Sequence, residues 1–362
     1  MLESVRPTCK PQTAAEHAMV ETYGGLGHVL VTGATGFLGS HVVAALLRVG
    51  ARVRIVARDP DRVSSAFRKA TEVIYGDICD EQVVHEAVKD VSVVINCAAI
   101  TTNRATWEEH ERVNVRATES LFLAAEKAGV KRIVHMSSVV VYGLEAAATG
   151  EAIRELSPYA RRSPNWAHYM RSKIESDQCA QRYNAKHTVP VTVLRLGIVY
   201  GPGAKHAPGR GLMDVGSFRF MIGMGRNHLP YAYVDNVVDL VLMASAVPQA
   251  KGQTYNILDM PQRTVREAVA RSRSVTGKAI RVVPIPPFAV RVAAWLLEAR
   301  ATLSGGHQTP KVSRVVIDGM SRDIRYSTCK AEKELGIRQA VDFKAALLRT
   351  LGDASYSGTA SR

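Results

Sequence analysis

The chain has 362 residues, 46% of them hydrophobic, enough to bury a large core in one or two domains. Its formal net charge of +14 is spread along the chain, the densest cluster (Arg266, Arg271, Arg273) carries no interleaved aromatics, and aromatics are only 6%, so nucleic acid is not an expected partner. No apolar run approaches the about 18 residues of a membrane span, no signal-peptide centre is visible, and five scattered cysteines without a C-x-x-C pair support neither disulfides nor a metal site.

Residues 1–27 read as a mobile leader, and a cytoplasmic location is expected. His28–Thr32 is the first predicted strand. It runs into three glycines spaced by three (Gly33, Gly36, Gly39) and then into a helical pattern over Ser40–Val49. Such a junction turns tightly, brings bare backbone close to a pyrophosphate and offers the unpaired N–H groups of a helix start. The same glycines would also serve a turn used only for packing. The second strand, Val53–Ala57, ends where an NAD site usually carries an acid, about 20 residues after the glycines. Here that position is Ala57, and Arg58 follows, able to neutralise a 2′-phosphate and stack on adenine, or to stand as a solvated turn residue before Asp59 and Pro60. The pair favours NADP(H) over NAD(H). After the third strand, Glu72–Tyr75, Asp77 is a candidate for the adenine amino group or for capping the helix Glu81–Val88. The fourth strand, Val91–Cys97, the helix Glu111–Ala128, the fifth strand, Arg132–Ser137, the helix Tyr169–Tyr183 and the sixth strand, Val191–Leu196, continue the alternation.

Continuous apolar strands separated by helices predict an α/β fold: a Rossmann-type, doubly wound parallel sheet whose ligands sit beyond the carboxyl ends of the strands. The expected organisation is a dinucleotide-binding domain from 28–200 and 232–260, a smaller discontinuous substrate domain from 201–231 and 261–350, and a mobile tail, 351–362. Residues 280–300 read as a Pro-marked loop and an amphipathic helix, either core-facing or lying on a membrane surface.

Tyr169 and Lys173, four apart on a predicted helix, share one face, and a nearby cation favours phenolate. Tyr326 and Lys330 have the same spacing but lie in a polar C-terminal segment away from the sheet. The fifth strand ends in Ser137 and Ser138, either of which could simply cap the strand end; Ser138 is the preferred hydroxyl for a substrate carbonyl.

In one order and at sensible intervals the chain carries TGATGFLGSH, NCAA (Asn96–Ala99), VNVRAT around Asn114, MSSVVVYG, YMRSK, LRLGIVYGPG, LPYAYVDNVVD, GQTYNILD and STCKAEKELGI. It resembles the extended short-chain dehydrogenases/reductases of the NAD-dependent epimerase/dehydratase superfamily over roughly residues 28–350. The resemblance implies Ser138, Tyr169 and Lys173 as the catalytic trio, with Asn114 near the active site. It implies a dinucleotide held by Gly33, Thr35, Gly36, Phe37, Leu38, Gly39, Arg58, Asp77, Ile78, Ala98, Ala99 and Lys173. Nucleotide-sugar relatives commonly carry a proline after the sixth-strand arginine and an R-D-Y-I-H-V-like segment; this chain has Arg195–Leu196–Gly197 and Leu229–Pro230–Tyr231–Ala232–Tyr233 instead. It looks more like the 3β-hydroxysteroid dehydrogenase and dihydroflavonol reductase branch. The expected function is therefore NADP(H)-dependent interconversion of a ketone and a secondary alcohol on a fairly apolar small molecule, by a homodimer with no metal. The alternatives are an epimerase or dehydratase with tightly bound NAD, and a non-catalytic nucleotide-binding subunit.

Overall fold

Short runs rich in valine and isoleucine form strands here because the β-branched side chains pack well on a pleated, buried surface. The computed structural model describes residues 24–102, 105–143, 150–161, 167–204, 207–209, 213–215, 218–277, 281–303, 314–336 and 340–352. The strands β1 (His28–Thr32), β2 (Arg52–Ala57), β3 (Glu72–Tyr75), β4 (Val93–Asn96), β5 (Arg132–Ser138) and β6 (Val191–Leu196) are the first six of the main sheet. They alternate with α1 (Phe37–Arg48), α2 (Ser65–Ala70), α3 (Glu81–Val88), α4 (Trp107–His110), α5 (Ala117–Lys127) and α6 (His168–Lys186). A π-helical stretch, Glu111–Arg116, joins α4 to α5.

Beyond β6 come β7 (Ile198–Tyr200), β8 (Met213–Val215), β9 (Phe218–Ile222), β10 (His228–Leu229), β11 (Tyr231–Tyr233), α7 (Val234–Ala246), β12 (Thr254–Ile257), β13 (Arg263–Thr264) and α8 (Val265–Thr276). The chain continues through β14 (Arg281–Ile285), α9 (Pro287–Leu303), α10 (Arg314–Ser321), α11 (Cys329–Leu335) and α12 (Phe343–Leu351). The main sheet has seven strands in the order β12-β6-β5-β4-β1-β2-β3, with every neighbouring pair parallel. It is a doubly wound Rossmann-type α/β sheet, and its strand order reverses between β1 and β4, where such folds open a ligand crevice.

The period of two in each strand assigns side chains to the two covered faces. Val29 and Val31 of β1 join the core under α1 and α7, while Leu30 points to the opposite core under α3, α5 and α6. Two buried arginines close helix ends against this sheet. Arg54 of β2 donates to the carbonyls of Ala87 and Lys89 at the end of α3, and Arg132 of β5 to those of Ala244 and Val247 at the end of α7. Each satisfies carbonyls that the helix leaves without partners.

The structure corrects several expected boundaries. The sheet has a seventh strand, β12, and Pro284 lies within β14, a strand paired in parallel with β9, where a loop was expected. α1 begins at Phe37, three residues before the expected start, and the helix expected from Glu111 begins with α4, four residues earlier, where Thr106 and Glu109 form a capping box. Residues 1–23 and 353–362, parts of the expected leader and tail, lie outside the described residues.

Candidate active site

The glycine turn after β1 has the form of a phosphate cradle. Gly33 sits at φ 66°, a conformation that a side chain makes costly, and a Cβ there would come within 2.7 Å of the Ala98 backbone nitrogen. A Cβ on Gly39 would run into the Gly33 carbonyl. Gly36 is exposed at the N-cap of α1 and brings no side-chain cap, so the first turn of a twelve-residue helix is left open to an anion. Thr35, Phe37 and Leu38 are partly buried around it. Opposite, the Ala98 backbone N–H donates to Thr32 Oγ1 (3.2 Å) and fixes the Ala98–Ala99 end of β4 against the turn. These features fit a dinucleotide pyrophosphate.

At the outer end of the crevice, Arg58 is exposed just past β2 and close enough to Cys79 to act electrostatically on its thiol. Asp77 does not cap the next helix, because Asp80 does so itself by accepting from the Gln82 N–H. Asp77 accepts instead from the Cys79 N–H (3.0 Å) and from Arg112 (3.2 Å). Burial pushes its pKa up, yet these hydrogen bonds and the Arg112 charge hold it below the usual aspartate range. Ile78 packs beneath, against the core under α3. Arg58, Asp77 and Ile78 thus stand together beyond the ends of β2 and β3.

At the inner end, β5 and α6 carry the candidate catalytic groups, and the structure separates the two serines. Ser137 points into the core, where it donates to Asp177 (2.5 Å). Asp177 also takes a two-pronged contact from Arg195 (2.9 and 2.8 Å) and a hydrogen bond from Tyr159 (2.6 Å), and Arg195 goes on to the Tyr142 hydroxyl (2.8 Å). Ser138 accepts from the Val140 N–H (3.3 Å), leaving its own proton free, and stands close enough to Tyr169 to act on its phenol. One turn along α6, Lys173 is buried and donates to the Met136 carbonyl (2.8 Å), two residues upstream of Ser138 on β5.

The electrostatics differ from the expected ones. Burial pushes the Tyr169 phenol above its ordinary pKa and only the Ser138 hydrogen bond works against this, so the expected lowering by Lys173 is absent from this arrangement. Lys173 is itself lowered to about 8, chiefly by burial, with Asp177 and Cys97 opposing. It is still largely protonated at neutral pH.

Asn114 is more than a helix residue. Within the π-helical stretch it accepts from the Ile100 N–H (2.8 Å) and donates to the Ile100 carbonyl and to Ser172 Oγ (2.9 Å each). His110 Nε2–H donates to the Thr102 carbonyl (3.0 Å), which leaves the neutral ring's Nδ1 as an acceptor 3.2 Å from the Asn114 amide nitrogen. Together Asn114 and His110 tie the loop after β4 to α6. No sequence motif singled out His110 or Ser172, although His110 stands four before Asn114 and so on the same helix face. Tyr326 and Lys330 go separate ways: Tyr326 packs on Tyr142, with ring centroids 6.2 Å apart, and Lys330 donates to Gln253 (2.8 Å).

Residues 29–257 match the NAD dependent epimerase/dehydratase family. The chain is 29% identical to the 3 beta-hydroxysteroid dehydrogenase/Delta 5-->4-isomerase of Mycobacterium tuberculosis over 342 residues, covering 90% of each chain. It is 26% identical to a 4-hydroxy-2-methyl-3-oxo-4-farnesyl-3,4-dihydroquinoline-1-oxide ketoreductase of Stigmatella aurantiaca, covering 92% of this chain and 98% of that one. Among solved structures it superposes on MoeE5, in complex with UDP-glucose and NAD, with a TM-score of 0.67 at 25% identity, over 90% of this chain and 98% of that one.

Proposed function

The chain belongs to the NAD dependent epimerase/dehydratase family of extended short-chain dehydrogenases/reductases, and on that premise we propose that it is an NADP(H)-dependent oxidoreductase interconverting a ketone and a secondary alcohol on a fairly apolar small molecule. The observation that carries this reading is the grouping of Ser138 at the end of β5 with Tyr169 and the buried, β5-anchored Lys173 on α6, beside the glycine cradle. A nicotinamide dinucleotide, when bound, supplies or accepts the hydride. Tyr169 gives the substrate oxygen its proton during reduction and removes it during oxidation. Ser138 turns its hydroxyl to the same oxygen, polarising a carbonyl and fixing its position. Lys173 holds the nicotinamide ribose and brings positive charge to the turn of α6 that carries Tyr169. NADP(H) is favoured by the buried Ala57 and exposed Arg58, which replace the usual ribose-binding acid with a phosphate-binding cation.

An epimerase with retained NAD is the second reading, and the likeness to MoeE5, solved with UDP-glucose, favours it. Against it stand Leu196, where nucleotide-sugar relatives commonly carry a proline after the arginine, and Leu229–Pro230–Tyr231–Ala232–Tyr233 in place of their R-D-Y-I-H-V-like segment. Purified protein would be denatured, the released nucleotide identified by mass, and NADPH consumption followed with apolar ketones and nucleotide sugars. Protein largely free of nucleotide, consuming NADPH stoichiometrically with a ketone, is the expected result; Arg58→Ala should then weaken NADPH by roughly 1.5–3 kcal/mol and NADH little. Retained NAD with an isomerised sugar and no NADPH consumption would overturn the reductase reading.

A further inference from the structure

α9 is apolar on most of its circumference, yet among the described residues only a narrow seam of it is covered. Val290, Ala294 and Glu298, spaced by four, are buried; the first two pack with Ile222 and Ile317, and Glu298 accepts from Arg314 (2.6 Å). Phe288 (77%), Trp295 (52%), Leu296 (56%) and Val292 (41%) stand exposed. At 3.6 residues per turn these four fall on the side opposite the seam. The turn carrying exposed Met224 extends the face at its start, because a Cβ on the neighbouring Gly223 would touch Pro287.

Among the described residues the exposed charge on this face has one sign. By the same helical spacing Arg291 and Arg300 lie to either side of the exposed apolar residues, and Arg281 is exposed on the preceding strand, β14. The one acid of α9, Glu298, is buried and paired with Arg314, while the mostly buried Asp318 faces Arg291 (3.0 Å). Large apolar side chains flanked by arginines suit a surface that is greasy beneath and anionic above: the aromatic and aliphatic groups enter the acyl boundary and the guanidinium groups stay at the headgroups. Among the described residues no helix is long and apolar enough to cross a membrane, so α9 would lie along the surface.

We propose that the exposed face of α9 docks this protein on an anionic lipid bilayer. Docking does not depend on the reaction assigned above. The test is flotation of the full chain with vesicles of phosphatidylglycerol and phosphatidylcholine, with vesicles of phosphatidylcholine alone, and with the double variant Trp295→Glu/Leu296→Glu. The wild type should float with the anionic vesicles at low salt, more weakly as salt rises and weakly with phosphatidylcholine. The double variant should need about a hundredfold more lipid for the same bound fraction, as expected for losing two large apolar anchors, and should melt as the wild type does. Equal flotation of variant and wild type would overturn the proposal, as would failure of the wild type to bind anionic vesicles. A variant that melts several degrees lower would show that the chain itself covers the face. A wild type that self-associates where the variant is monomeric would show that a second copy does. Either result overturns bilayer docking.

Discussion

Two adjacent serines at the end of β5 meet opposite fates, because successive residues of a strand face opposite ways. Ser138 faces Tyr169 at the sheet edge, and Ser137 faces the buried Asp177–Arg195 pair. Removing either hydroxyl should therefore have a distinct signature. Ser138→Ala should lower turnover by about 10²-fold with little change in melting temperature, because a polarising donor is lost at an accessible site. Ser137→Ala should leave the chemistry near normal and cost about 1–3 kcal/mol, because Asp177 loses one of the donors that keep its carboxylate charged in the core. Turnover and thermal melting of the two variants check this, and the reverse pattern would move the catalytic hydroxyl to Ser137. Tyr169→Phe should match Ser138→Ala in kind and exceed it in size, since it removes the proton donor itself.

The π-helical stretch between α4 and α5 shows how an element turns a local irregularity into positioning. An extra residue per turn is a usual mark of a functional site, and here Asn114 lies within it, bonded to both backbone groups of Ile100. Asn114→Leu keeps the bulk and removes every one of these bonds. It should lower cofactor affinity and turnover by about tenfold each as the loop after β4 loosens, with a stability loss of about 2 kcal/mol. Unchanged affinity and turnover would reduce Asn114 to a packing role. Local signals were the legible ones at this scale: the glycine spacing, the Ala57–Arg58 pair and the Tyr169–Lys173 spacing each sit within one element and its turn. Two strands were harder to read. β12 is hidden by Asn256, a polar residue in a four-residue strand, which is buried only because Tyr142 donates to it and it donates in turn to the Ser327 carbonyl. β14 is hidden by Pro284, tolerated because β14 is an edge strand of its three-stranded sheet. The early start of α4 was written in Thr106-x-x-Glu109, a readable capping box. Ser172 meets Asn114 from 58 residues away, so only the fold brings them together, whereas His110 lies four residues before Asn114.

For the molecule as a whole, burying ionisable groups around the sheet sets the pH range in which the fold is firm. His135 on β5 is lowered to about 3, by burial first and then by the nearby Lys173 charge, with Asp177 opposing; His28, His110 and His168 are lowered as well, in each case chiefly by burial. A histidine whose folded pKa lies below its unfolded value of 6.5 binds fewer protons folded than unfolded, so stability falls as pH drops below about 6.5. For His135 that loss continues toward pH 3 and reaches about 2 kcal/mol at pH 5. Lys173 obeys the same relation at higher pH: with a folded value of about 8 against 10.5, it adds stability as pH rises between them. Above pH 10 the buried phenols, whose folded values are raised, reverse the trend. Melting temperature should therefore climb from pH 5 to 7 and again from 8 to about 10. His135→Leu should flatten the acid limb while leaving the alkaline one in place, because only the first contains the His135 proton. Its Asn96 neighbour keeps Thr118 and Thr32 as partners, so the variant stays folded for the comparison. Thermal melts of both proteins across this range decide it, and an acid slope identical in the two would show that His135 protonates freely in the folded chain.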